Sequence, residues 1–329
     1  MPHAHALTAP PVALPIAGFK SVYDTAQVEH LLQELPASAH EGLRTTYEKM
    51  LKNGGTRFCV KPSQMPDMQT IYHELPNFSE VLDDIRKQLA LCMETSDPLE
   101  LAPMLLLGEP GIGKTHFAKR LSQILGTAYG FVSMSSLTAG WVLSGSSSQW
   151  KNSKTGKVFD TLVHGSYANP VMVVDEIDKA ALDGQYDPLG ALYSLLEHDT
   201  AEEFIDEFAE IPINASDIVW IATANQTQHI PEPILNRMNV YHIDAPDLAA
   251  ARHIAQSIYQ DIRTSHAWGA RFPERLQEDS LDLLARCRPR EMRRLILSGF
   301  GNARLSQRDQ ILPGDIDTER SAKRARIGF

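Results

Sequence analysis

The sequence predicts an α/β fold, with a parallel sheet layered between helices and followed by a small all-helical domain. Three observations carry this expectation. Short apolar runs recur as strands, with helix-patterned segments between them. One glycine-rich turn joins such a strand to a helix. Beyond Pro246 the strand-like runs stop while helical spacing continues. With 329 residues, 43% hydrophobic and 22% charged, the chain has ordinary globular composition and a length suited to two domains.

Residues 1–20 are rich in Pro and Ala and are expected to be poorly ordered. Helical spacing follows in Asp24–Leu35, where Val28, Leu31, Leu32 and Leu35 share a face, and in Ala39–Asn53. Pro36 separates the two, and Gly54-Gly55 ends the second. Arg57–Val60 is β-like. This N-terminal stretch reads as a small helical domain, a docking arm or a packed extension. Residues 79–94 are an amphipathic helix. Met104–Leu107, Gly130–Ser133, Pro170–Val174, Ile218–Ala222 and Val240–Ile243 then read as strands. Lys114–Leu125, Gly156–His164 and Leu189–Glu197 read as the helices between them. Continuous apolar strands of this kind belong to sheets covered on both faces. Residues 247–262, 278–287 and 290–305 are helical. The expected division is an extension (1–75), an α/β domain (76–246), a small helical domain (247–318) and a basic tail (319–329). The tail holds Arg320, Lys323, Arg324 and Arg326, read first as solvated charge.

The stretch Gly108-Glu109-Pro110-Gly111-Ile112-Gly113-Lys114-Thr115 fits G-x-x-x-x-G-K-[ST] between a strand and a helix opening at His116. Glycines let successive backbone N–H groups turn toward phosphate oxygens, and the helix start adds the positive end of its dipole. Lys114 would reach the β- and γ-phosphates, and Thr115 would offer its hydroxyl to Mg²⁺. The plain alternative is a glycine turn before a core helix. Further on, Val173-Val174-Asp175-Glu176 sets two acids at the carboxyl end of a buried strand, where ligands bind in open α/β sheets. Asp175 suits a Mg²⁺-holding acid, and Glu176 suits a base for the attacking water. The competing reading is that the pair caps the next helix. Asn225, ending the next strand, would hold the lytic water or touch the γ-phosphate, or would simply form a turn.

Composition narrows the classes. With 41 acidic against 31 basic residues, the net charge of −10 disfavours sequence-independent nucleic-acid binding by the whole surface. Cys59, Cys92 and Cys287 are odd in number and far apart, so neither a disulfide framework nor a CxxC metal pair is expected, and a cytoplasmic location fits. No Lys or Arg precedes Lys20, and Pro10, Pro11 and Pro15 interrupt any signal core. No apolar run approaches the length of a membrane span, so no membrane partner is expected.

In the order Gly108–Thr115, Asp175-Glu176, Asn225, the sequence resembles AAA+ ATPases, with their Walker A, Walker B and sensor 1 motifs. It is most similar to the ATPase module of the Lon proteases. That similarity is carried by Thr155-Gly156-Lys157-Val158, Asn169-Pro170-Val171, Asp175-Glu176-Ile177-Asp178-Lys179, Asp187-Pro188-Leu189-Gly190-Ala191-Leu192 and Ile230-Pro231-Glu232-Pro233-Ile234-Leu235-Asn236-Arg237-Met238. The resemblance implies a P-loop NTPase three-layer domain that hydrolyses ATP with Mg²⁺ in a homo-oligomer, expected to be a hexamer. It makes Arg237 an arginine finger for the neighbouring subunit, although Asn236 stands where Lon commonly has Asp. It places sensor 2 in Arg288-Pro289-Arg290-Glu291-Met292-Arg293-Arg294, with Arg290 the first choice and Arg288 and Arg293 behind it; an ordinary basic helix face competes with this reading. It aligns Ser148–Lys157 with Lon's first pore loop, so that Trp150 would grip a translocating polypeptide beside Lys151. A lone Trp in so polar a segment is expected to be exposed, though packing against its own domain is the alternative. Trp141 is expected in the core. Lys151 and Lys154 replace apolar residues of Lon and would also suit a nucleic-acid strand. Because the chain ends at Phe329, no room remains for Lon's protease domain, and no peptidase activity is expected. Three functions stay open: remodelling or threading a protein substrate, a nucleic-acid motor, and a nucleotide-dependent switch for a dedicated partner.

Overall fold

The computed structural model describes residues 16–36, 41–136, 141–150, 153–180 and 187–318. The chain opens with an antiparallel pair, β1 (Ile16–Ser21) and β2 (Thr56–Lys61), with α1 (Thr25–Glu34) and α2 (Glu41–Asn53) between them. Next come α3 (Met68–Glu74), α4 (Ser79–Cys92) and β3 (Met104–Leu107). Then follow α5 (Lys114–Leu125), β4 (Tyr129–Ser133), α6 (Trp141–Ser144), α7 (Lys157–Val163) and β5 (Val171–Asp175). The single-turn helices α8 (Leu192–Leu195) and α9 (His198–Ala201) precede a small hairpin, β6 (Phe204–Ile205) and β7 (Pro212–Ile213). After β8 (Val219–Ala224), α10 (Glu232–Leu235) and β9 (Asn239–His242), the chain is helical: α11 (Leu248–Ser265), α12 (Glu278–Leu284) and α13 (Pro289–Leu305).

Five strands form one parallel sheet of order β4-β5-β8-β3-β9. Every residue of β3 and β8 is buried, and so are the first four of β5. Successive side chains point to opposite faces, so both faces must be covered, as the unbroken apolar runs predict. β4 alternates instead and leaves Phe131 40% exposed, as expected of an edge strand.

Two compact units divide the chain. The first takes the described residues of 1–66, 84–107 and 115–241; the second takes 67–83, 108–114 and those of 242–329. In the first, Val22, Tyr23, Val28, Leu43, Tyr47 and Met50 share one core with Leu105, Val132, Phe159 and Val174. Within the N-terminal stretch, described residues up to 66 are therefore a packed extension of the α/β core, while 67–75 belong to the second unit. Its polar attachments are unusual in kind. Asn169, 1% exposed, accepts from the Val60 N–H at 3.0 Å and donates to the Val60 carbonyl at 2.7 Å. One side-chain amide thus replaces a strand neighbour. Phe58 N–H donates to Ser166 O (2.9 Å), and Ala168 N–H donates to Phe58 O (2.8 Å). Buried Arg57 donates to the carbonyls of Leu162 (2.8 Å) and Val163 (2.5 Å). Buried Lys61 donates to those of Cys92, Thr95 and Asp97.

The second unit packs α11, α12 and α13 around Tyr259, Phe272 and Phe300, with Tyr259 and Phe300 stacked 5.1 Å apart. Asp247 caps α11 by accepting from Ala250 N–H at 2.7 Å. Arg308 grips Asp315 with two hydrogen bonds of 2.7 and 2.6 Å, which hold that carboxyl below its usual value.

Three expectations need correction. Ile16–Ser21, inside a stretch expected to be poorly ordered, is a strand, because its backbone pairs residue for residue with β2; residues 1–15 lie outside the described residues. Leu189–Glu197 is helical only at α8, since Asp187 and the turn at Gly190 occupy its start. Trp141 is only half-buried, since it opens the short helix α6 at the surface. The tail 319–329 also lies outside the described residues.

Replacing Asn169 by Ala strands both polar groups of Val60 in a dry site, and each should cost about 1–3 kcal/mol. Urea unfolding of Asn169→Ala should show a loss of that order with little change in slope. An unchanged midpoint would refute the bridging role.

Candidate functional site

In the first unit the acidic residues stand at the carboxyl end of the sheet. Asp175, the last residue of β5, accepts at Oδ1 from Thr115 Oγ1 (3.0 Å) and from Thr223 Oγ1 (2.7 Å). Thr223, 1% exposed, is placed by the register that sets Val174 beside Ala222, and its Oγ1 also accepts the Glu176 N–H at 3.0 Å. Glu176 is thereby held at φ +56°, ψ +51°, a left-handed conformation uncommon for a residue with a side chain. Backbone strain of this kind concentrates at functional sites. Asp178, 3% exposed, accepts the Asn225 N–H at Oδ2 (3.2 Å), while its Oδ1 is buried without a partner. The structure thus brings together Thr115, Asp175, Glu176 and Asn225. It adds two residues to which the sequence reading gave no role, Thr223 and Asp178. Their only signal was position: a hydroxyl beside the strand-end acid, and an acid one short turn further on.

The donors Thr115 Oγ1 and Asp175 are hard oxygens 3.0 Å apart, the chemistry that suits Mg²⁺.

Arg237 follows α10. Its Nη1 donates to Pro233 O (2.7 Å), and its Nε lies 2.7 Å from Glu197 Oε1. The Nε approach is an ion pair without hydrogen-bond alignment, since the same atom is otherwise unsatisfied. Glu197 is a further partner that the sequence did not signal.

In the second unit the loop Gly108–Lys114 turns through Gly111 (φ +83°) and Gly113 (φ +108°), which only glycine adopts cheaply. Lys114, 8% exposed, folds back to donate to the carbonyls of Gly108 and Glu109. Asn77 donates to Ile112 O at 3.3 Å. Arg288 Nη2 reaches Glu109 Oε2 at 2.9 Å and its Nη1 reaches Pro110 O at 3.4 Å. A Cβ on Gly111 would stand 3.6 Å from the Arg290 Cβ. Of the three sensor 2 candidates, Arg288 and Arg290 border the loop, while Arg293 pairs with Asp261 at 2.6 Å. Glu109 and Pro110 are exposed, as is His116 in the first turn of α5.

Trp150 is 44% exposed, as expected; Lys151 lies outside the described residues. The segment before α7 is organised by Asp206, which is fully buried. Asp206 Oδ2 accepts from Gly156 N–H (2.7 Å), and Oδ1 accepts from Phe208 (3.0 Å) and Ala209 (3.1 Å). Ser146 Oγ closes the segment by accepting Lys154 N–H at 3.0 Å.

Residues 104–243 match the family described as ATPase family associated with various cellular activities (AAA). Over residues 104–243 the chain is thus similar to AAA ATPase domains. Within that class it is related to the ATPase region of Lon. It is 30% identical to the Lon protease of Clostridium beijerinckii over 178 residues, covering 54% of this chain and 22% of that protein. It is 30% identical over 205 residues to Lon protease homolog 2, peroxisomal, of Spinacia oleracea, covering 61% and 23%. The matched region thus spans less than a quarter of these relatives. Among solved structures, the Thermotoga maritima RuvB Holliday junction branch migration motor has 16% identity and a TM-score of 0.44, with 71% of this chain and 66% of that one covered. Among the described residues no helix is long and apolar enough to cross a membrane.

Burial pushes the Asp206 carboxyl up from 3.8 to about 6, against the N–H donors that pull it down. Its ionised form therefore costs more inside the fold than in the unfolded chain. The stability it contributes is complete below the unfolded value and is lost as the pH rises through about 6. Between those limits the native chain should lose roughly 2–4 kcal/mol more than Asp206→Asn, read by urea unfolding across the pH range. Parallel profiles would remove Asp206 as the titrating group.

Proposed function

We propose that the chain is an ATPase that binds ATP with Mg²⁺ at Gly108–Thr115, turns it over in a ring of identical subunits, and uses the turnover to remodel or thread a polypeptide. The observation that carries this reading is the hold on Asp175 by Thr115 and Thr223, with Glu176 set in a strained conformation beside it. Backbone N–H groups of the loop, Lys114 and the start of α5 receive the phosphates. Thr115 and Asp175 would hold the metal, which would neutralise phosphate charge. Glu176 takes the proton of the attacking water, and Asn225 orients that water. Arg290, with Arg288 beside the loop, adds positive charge near the phosphates. Arg237 acts on the nucleotide of the neighbouring subunit, where its charge meets the developing negative charge of the transferring phosphoryl group. An arginine acting in this way requires an oligomer, and a hexamer fits the resemblance to Lon. Trp150 contacts the polypeptide.

Lys114→Ala should abolish nucleotide binding. Glu176→Gln should bind ATP yet turn over at least about a hundredfold more slowly. Arg237→Ala should bind normally and lose about a thousandfold in turnover. Mixing Lys114→Ala with Arg237→Ala tests the composite site. Each is inactive alone, but in a shared ring the first can lend Arg237 to an intact nucleotide site on the second. Recovery of ATPase activity on mixing is expected. Its absence, with light scattering showing a monomer in ATP, would overturn the ring.

A further inference from the structure

The wall beside Trp150 is more informative than the tryptophan alone. Trp150 and Trp141 line a groove of about 650 Å³ in the first unit, together with Ile205 of the β6–β7 hairpin. Ile205 is 53% exposed and Trp150 44%, a pair of large apolar groups left at the surface of one concavity. Asp187, Glu203 and Glu207 line the same groove. Glu207 is fixed there, since its N–H donates to Ser144 O at 2.7 Å and its Oε1 accepts from Ser144 Oγ at 3.2 Å. Glu203 is exposed beside it.

The geometry points to a binding groove for an extended polypeptide segment that carries Lys or Arg next to apolar side chains. This deepens the polypeptide-remodelling reading and rests on it. Two features select that occupant. Carboxylates focused in a concave site attract cations and repel phosphates, so a nucleic-acid backbone is opposed where a basic peptide is favoured. The indole faces supply the second feature. Lys154 Nζ stands 5.9 Å from the ring centroid of Trp141, so one indole of the wall already carries a cation from outside the lining. Substrate lysines and arginines can approach the carboxylates while neighbouring apolar side chains rest on the exposed parts of Trp150 and Ile205. Backbone hydrogen-bond readout is not needed, so many sequences of the right composition would fit.

The test compares three labelled probes by fluorescence anisotropy at low and moderate salt: an unstructured Lys/Leu/Ser peptide, a Glu/Leu/Ser peptide of equal length, and oligo(dT). The basic peptide should bind about tenfold or more tighter than the acidic one, and the advantage should shrink with salt. Glu203→Lys should weaken the basic peptide about fivefold and strengthen the acidic one. That inversion cannot come from a loss of folding. Ile205→Ser should weaken both peptides. Equal binding of the two peptides, preference for oligo(dT), or indifference to Glu203→Lys would each overturn the proposal. The binding measurement needs no ATP turnover, so a failure of the ATPase reading would show separately, in the activity of the unaltered chain.

Discussion

The two hydroxyl hydrogen bonds on Asp175 Oδ1, from Thr115 at 3.0 Å and Thr223 at 2.7 Å, are the constraint on which the α/β unit's chemistry depends. They require three separate pieces of chain to end at one place. β5 must deliver Asp175, β8 must deliver Thr223 in register with it, and α5 must begin at the same edge. Parallel pairing meets the first two demands, because neighbouring strands then finish at the same edge of the sheet. Register meets them uniquely. A slip of one residue between β5 and β8 would turn Thr223 to the other face and leave both Asp175 and the Glu176 N–H without this hydroxyl. The buried apolar faces of both strands resist such a slip, so packing free energy holds the polar geometry in place.

The N-terminal extension solves a related problem by other means. β2 carries two buried cations, Arg57 and Lys61, among apolar residues. An unpaired buried charge is costly, yet both find carbonyl oxygens rather than carboxylates. Carbonyl dipoles at the ends of segments satisfy the donors without adding a second ion that would also need desolvation. Asn169 completes the attachment by acting as a strand partner of one residue. The extension thus joins the core through main-chain groups, whose positions depend little on which side chains surround them.

Much of this was legible in the sequence, and what was not has physical reasons. β3, β5 and β8 could be read because each is a continuous apolar run, and the loop because its glycines have a fixed spacing. Asp175, Glu176 and Asn225 could be singled out because strand ends converge in a parallel sheet, and Thr115 because it closes the glycine motif. β1 was missed since Ile16–Ser21 has no alternation of its own and takes its structure from pairing with β2. Thr223 was quoted within its strand, yet its role depends on register, which no single strand encodes. Asp206 and Glu197 were invisible for a further reason: their partners lie far away in sequence, at Gly156 and Arg237. A buried acid in a polar segment gives no local sign that it organises distant N–H groups.

Glu197 bears on the role in trans proposed above for Arg237. Within its own chain the guanidinium is not left in solvent, because Glu197 Oε1 lies 2.7 Å from Nε and Pro233 O accepts from Nη1. Half-exposed ion pairs of this sort contribute about 0–1 kcal/mol, and this one lacks hydrogen-bond alignment. An arginine that stabilises phosphoryl transfer by a factor of about a thousand supplies roughly 4 kcal/mol to the transition state. The inequality is large and in one direction. A contact this weak can orient the side chain and limit its rotamers, and under the proposed role it would not compete with a γ-phosphate for it. A bidentate, buried carboxylate at the same place would have held the arginine too strongly to release it. The poor alignment between Arg237 and Glu197 is thus compatible with the role in trans proposed above for this arginine.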